Sequence, residues 1–182
     1  MASKSILVSC VVIRLLTLGA LAAAIVVLVT NQFRSNIDNS KTIFTDVIAY
    51  RFVFAASALG CLYTLIQLPF ALYYAYKEKR LIQNDFLPNL DFYGDKMVAI
   101  VLACGAGAGL AVTLELKGIL KEYYNDFSDI PGIDEQRSKS IRFLNRGYIA
   151  SGLLLLGCAC MVILSVFSSI NRTSTKKSGF FG

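Results

Sequence analysis

Arg14 places a permanent charge inside an apolar run that extends from Ile6 to Thr30. It stands about eight residues, or roughly 12 Å at the helical rise, from the start of that run. A guanidinium at such depth costs at least about 2.5 kcal/mol by insertion scales, so it is expected to face a bundle interior and to pair. Asp95, at the opening of a later apolar run, is the expected partner, with Asp91 one turn earlier as the backup. An Arg–carboxylate pair can be bidentate, which fixes the rotation of one helix against another. Two roles suit the pair: a gate on an ion or substrate pathway, or a structural staple within the membrane. A pathway needs several polar groups near the midplane. The other apolar cores offer Thr64 and Gln67, with Glu115 near a span end. That scarcity favours the staple.

Other chemistries are limited by what the chain lacks. It has no histidine, which removes the commonest general base and the commonest metal ligand. Neither a Ser-His-Asp nor a Cys-His site can be built. Its cysteines (Cys10, Cys61, Cys104, Cys158, Cys160) all fall in apolar runs, so no disulfide framework is expected in the loops. Cys158 and Cys160 lack the CxxC spacing of a redox helix and read as small packing residues. Gly105-Ala106-Gly107-Ala108-Gly109 is glycine-rich, yet the Lys-Ser or Lys-Thr of a phosphate loop is missing. Gly105 and Gly109 instead have GxxxG spacing, which lets helix backbones approach closely in lipid. A contact inside the bundle is expected there, with self-association of copies as the alternative. No catalytic residue, cofactor or metal is expected.

These residues need helices to hold them, and the hydropathy supplies them. The chain has 182 residues, 55% of them hydrophobic, with a mean hydropathy of +0.59. Roughly 20 apolar residues cross about 30 Å of hydrocarbon. Spans are expected at 6–30, 49–76, 95–116 and 148–170, giving an all-α membrane protein, a four-transmembrane-helix bundle. The first run is longer than a signal peptide's apolar region and is interrupted by Arg14, so a retained helix is expected. Pro69 is expected to kink the second span, a defect that neighbouring helices can tolerate. Tyr73, Tyr74 and Tyr76 close that span as an interfacial belt. Asn89 is a candidate N-cap for the third helix.

Around the spans lie a short N-terminus at 1–5, loops at 31–48, 77–94 and 117–147, and a tail at 171–182. The loop at 117–147 passes from an acidic half to a basic half holding Arg137, Lys139, Arg142 and Arg146. Its Tyr123, Tyr124 and Phe127 are candidate contacts for an extracellular partner. The tail is rich in Ser, Thr and Lys and is expected to be disordered. Lys77, Lys79 and Arg80 beside the second span favour a cytosolic loop at 77–94, hence cytosolic termini and extracellular loops at 31–48 and 117–147. The sequon Asn171-Arg172-Thr173 would then stay unmodified, and glycosylation there would overturn this topology. The net charge of +6 comes from short flanks, with no basic stripe on an amphipathic helix. Such flanks anchor to headgroups. The lipid bilayer is therefore the expected partner, and nucleic acid is not.

With an arginine in the first span and an aspartate opening the third, the chain resembles the CASP-like proteins, relatives of the Casparian strip membrane domain proteins and of MARVEL tetraspan proteins. The resemblance covers nearly the whole chain. Tyr50-Arg51-Phe52-Val53-Phe54-Ala55-Ala56-Ser57-Ala58, leading to Cys61-Leu62-Tyr63-Thr64-Leu65-Ile66-Gln67, is similar to the family's second span. Asp95 with the Ala/Gly-rich run to Thr113 looks like its third span, Arg14 like its first-span arginine, and Ser165 and Ser168 suit its fourth. The first loop lacks the long aromatic signature of the strip proteins proper, and the third loop has no cysteine pair. Those departures point to a CASP-like member. The resemblance implies plasma-membrane location, cytosolic termini, homo- or hetero-oligomerisation into membrane platforms, and recruitment of cell-wall-modifying enzymes. A non-enzymatic scaffold is thus the leading expectation, and a small transporter or channel using Arg14 and Asp95 is the alternative.

Overall fold

The computed structural model describes residues 4–34, 41–77, 86–126 and 133–178. Four helices dominate: α1 (Lys4–Val29), α2 (Ile48–Lys77), α3 (Phe86–Asp126) and α4 (Ile133–Ser178). Each contains a stretch long and apolar enough to cross a membrane. The fold is therefore an all-α four-span bundle. Neighbouring helices around its perimeter are α1–α2, α2–α3, α3–α4 and α4–α1, the α3–α4 pairing being the most extensive. That leaves α1 and α3 at opposite corners.

The bundle is built for lipid. Leu16, Val26, Leu62, Ile66, Ile100, Leu156 and Val162 point outward, whereas a soluble bundle would put charge on that face. Inside, Leu21, Leu28, Val53, Leu102, Leu154 and Met161 form the core, among several hydroxyls. Thr17, Ser57, Thr64, Thr113 and Ser151 each donate to the carbonyl four residues earlier on their own helix, at 2.6–2.9 Å. A hydroxyl bonded to its own helix satisfies its donor without needing a partner helix. These small side chains therefore let the helices sit close at low polar cost.

Several local expectations from sequence differ from the structure. Segment 117–147, expected as a loop from its charge, is mostly helical, since α3 runs on to Asp126 and α4 already starts at Ile133. The reason is a helical seam: Leu116, Leu120 and Tyr124 recur every four residues on the buried or half-buried side of α3, the leucines packing on the core that holds Phe143 and Leu144 and the tyrosine bonding Ser140. With 41 and 46 residues, α3 and α4 reach roughly 60–70 Å, about twice the hydrocarbon thickness. Asn89 is not an N-cap, because α3 begins at Phe86 and keeps Pro88 in its first turn, where a missing N–H costs nothing. Helix α2 holds Pro69 within it and ends at Lys77, one residue past the expected end of the span. Helix α4 also continues to Ser178, where composition alone implies disorder; extending a formed helix avoids the cost of a new nucleus. In the first loop, β1 (Gln32–Arg34) pairs antiparallel with β2 (Lys41–Ile43), with Phe33 opposite Thr42 and Arg34 opposite Lys41. A single 3₁₀ turn at Phe44–Asp46 then leads into α2.

Candidate functional site

Arg14 on α1 and Asp95 on α3 meet across the diagonal of the bundle. Arg14 Nη2 donates to Asp95 Oδ1 at 3.5 Å. Arg14 is 5% exposed and Asp95 1%. Tyr63 on α2 stabilises the carboxylate by donating its hydroxyl to the same Oδ1 at 2.7 Å. One turn further along α2, Gln67 donates from Nε2 to Tyr63 Oη at 3.3 Å. The charge is thus held by three helices. Gly94 makes the arrangement sterically feasible: a Cβ there would lie 2.6 Å from Tyr63 Oη and 2.7 Å from its ring.

Because the Tyr63 bond has an ionised acceptor, it is stronger than a neutral one. Tyr63→Phe is expected to destabilise the bundle by about 1.5–3 kcal/mol, with the ring still filling its place beside Gly94. Denaturant titration of the detergent-solubilised protein checks this. No loss of stability in that variant would mean that the hydroxyl does not hold Asp95.

Gly105 and Gly109 both face the interior of the bundle. A Cβ on Gly105 would meet Ala56 on α2 at 2.9 Å and Leu154 on α4 at 3.0 Å; one on Gly109 would meet Ser151 Oγ at 2.3 Å and Val53 at 2.6 Å. One turn outward from the centre, Tyr50 is fully buried and bonds Thr113 Oγ1 at 2.9 Å. Since Thr113 already donates to Gly109 O, the tyrosine is the donor. Its ring rests against Phe143, with centroids 6.0 Å apart, and against Gly147, where a Cβ would lie 2.1 Å from the hydroxyl.

Of the candidate partner contacts, Tyr123 is 56% exposed, but Tyr124 is 6% exposed and shares a hydrogen bond with Ser140 Oγ at 3.2 Å. Tyr124 therefore joins α3 to α4 and is not available to a partner. Phe127 and the side chain of Asp91 lie outside the described residues. The expectation that no basic stripe exists also changes. Once 133–147 is helical, Lys139, Arg142 and Arg146 occupy one face at i, i+3 and i+7. With Arg34 of β1 they line a cleft of about 310 Å³ that also takes in Asn31, Gln32 and Phe143. Sequence reading missed this cleft and the roles of Tyr63, Gly94, Tyr50 and Gly147. The signal for Gly147 was an isolated glycine within what proves to be a helix.

Comparison with known proteins agrees with this architecture. A family model described as the Casparian strip membrane protein domain matches residues 3–129. The chain is 37% identical over 160 residues to CASP-like protein 4D1 of Ricinus communis, covering 87% of each chain. It is 35% identical to CASP-like protein 4D2 of Arabidopsis lyrata subsp. lyrata, over 91% of this chain and 90% of that one. A CASP-like protein 4D1 of Sorghum bicolor is also 35% identical, over 92% and 95%. No solved structure matches. This multi-pass membrane protein belongs to the CASP-like proteins of the Casparian strip membrane protein domain family.

Proposed function

We propose that the protein is a non-enzymatic plasma-membrane scaffold with cytosolic termini, which associates with its own copies or with family members into platforms and recruits cell-wall-modifying proteins. The observation that carries this reading is the enclosure of the intramembrane charge. Arg14 and Asp95 are held with Tyr63 and Gln67 as a three-helix staple, an arrangement that favours rigidity over passage. The projecting α3–α4 pair supports the recruiting role, because it carries Tyr123 outward on a stiff support.

Self-association needs a surface other than Gly105 and Gly109, which are enclosed. Ala103, Gly107 and Ala111 follow one another every four residues on the outer side of α3, and all three are exposed. Small residues in that spacing suit a helix of a second copy. A Cβ at Gly107 meets nothing within 4 Å, so Gly107→Leu is expected to leave the single bundle intact. Energy transfer between donor- and acceptor-tagged copies should nevertheless fall severalfold. Gly105→Leu should instead prevent folding.

The scaffold reading is tested by fluorescence recovery of a tagged chain in its native membrane. Slow lateral exchange is expected. Free diffusion, or a saturable solute flux through the reconstituted protein, would overturn it.

A further inference from the structure

The cleft between the end of α1, β1 and α4 gathers cations that the scaffold role does not use. Arg34, Lys139, Arg142 and Arg146 line it together with Asn31 and the edge of Phe143. Two of the four cations are engaged: Lys139 bridges Glu135 at 2.8 Å, and Arg146 Nη1 donates to the Thr30 carbonyl at 3.0 Å. Arg34 and Arg142 are exposed and have no carboxylate partner among the described residues.

The surrounding frame is built and fixed. Asn31 is fully buried and donates Nδ2 to the Phe143 carbonyl at 3.0 Å; with the Arg146–Thr30 bond it ties α1 to α4. Beside the cleft, Arg34 stands directly opposite Lys41 on the β1–β2 ladder. Like charges in that position repel. A bound anion would relieve that repulsion as well as the repulsion among the lining cations.

Depth indicates which anion. The apolar span of α1 ends at Val29, so Asn31 lies within about one helical turn of the hydrocarbon edge. On α4, exposed Tyr148 and Ile149 follow Arg146 after the buried Gly147, placing an aromatic and an aliphatic side chain where lipid begins. At this level the abundant anion is the phosphate of a lipid headgroup. Guanidinium forks match its oxygens better than an ammonium does.

We propose that this cleft binds a phosphate group at the membrane surface, through Arg34 and Arg142 with support from Lys139 and Arg146. The source is a lipid headgroup or a soluble phosphate ester. Native mass spectrometry of the purified full chain, titrated with phosphatidylglycerol, phosphatidylcholine or inorganic pyrophosphate, tests this. Phosphatidylglycerol is expected to bind more tightly than phosphatidylcholine. Each charge removed should weaken it by about fivefold, so Arg34→Gln with Arg142→Gln should lose roughly twentyfold or more. Lys121→Gln, an exposed cation outside the cleft, should lose nothing.

Displacement of the lipid by pyrophosphate would show that the site takes a soluble phosphate, and its absence would assign it to lipid. Melting temperature is the fold readout for each variant, and it should stay unchanged because the substituted side chains are exposed. Equal binding of phosphatidylglycerol by the parent and the double variant, with pyrophosphate also unaffected, would overturn the proposal.

Discussion

Arg14→Ala is expected to lower the stability of the bundle by roughly 3–5 kcal/mol, the range for removing one partner of a buried ion pair. The cost arises from what is left behind. Asp95 would remain almost fully enclosed, with a tyrosine hydroxyl as neutral company. Asp95→Ala should cost a similar amount, because a guanidinium would then stand without its carboxylate far from water. A loss of that size is a large fraction of the about 5–15 kcal/mol that holds a native domain together, so both variants should be retained inside the cell. The double variant Arg14→Leu with Asp95→Leu separates charge from packing. If the pair is a staple, replacing both partners by apolar side chains should recover much of the loss, and the protein should return to the surface. A charge-swapped pair, Arg14→Asp with Asp95→Arg, should recover only part of it, since the swap moves the arginine beside Tyr63. Unfolding in mixed detergent measures each arm. Full stability in Arg14→Ala, with loss of a flux, would transfer the pair from structure to transport.

The charges of this site are legible in the sequence because membrane burial makes any charge conspicuous. Arg14 and Asp95 stand out against hydropathy alone, and they meet at 3.5 Å. Tyr63 and Gln67 gave a weaker signal. A tyrosine in a span is unremarkable until the helix opposite is known, and no periodicity indicates that Gly94 clears room for its ring. The span cores were legible for the same reason as the charges. The helical extensions were not, because the charge carried by both halves of segment 117–147 masks the four-residue recurrence of Leu116, Leu120 and Tyr124. Treating it as a loop concealed two consequences at once: Tyr124 became a surface residue, and Lys139, Arg142 and Arg146 lost their common face. Hydropathy measures the average polarity of a segment, whereas an extramembrane helix pair depends on which side of each helix is apolar.

That same segment supplies the second large effect. Gly147→Ala is expected to destabilise the bundle by about 3 kcal/mol, the upper part of the range for overpacking a tight core, although alanine is the better helix former. The added carbon would lie 2.1 Å from Tyr50 Oη and 2.3 Å from Cζ. Tyr50 cannot easily withdraw, being fully buried, bonded to Thr113 and set against Phe143. Tyr50→Phe should rescue little, since the ring carbons still collide. Tyr50→Leu removes the obstructing atoms, so its combination with Gly147→Ala should cost less than the two single changes added together. Gly152 provides the opposite sign from one turn away. A Cβ there meets nothing within 4 Å, so Gly152→Ala should be neutral or stabilise by up to about 1 kcal/mol through helix propensity alone. Thermal unfolding of both alanine variants in one detergent measures the contrast. Equal behaviour would mean that α4 can shift away from Tyr50, and that the Tyr50–Gly147 contact does not fix how α4 sits against α2.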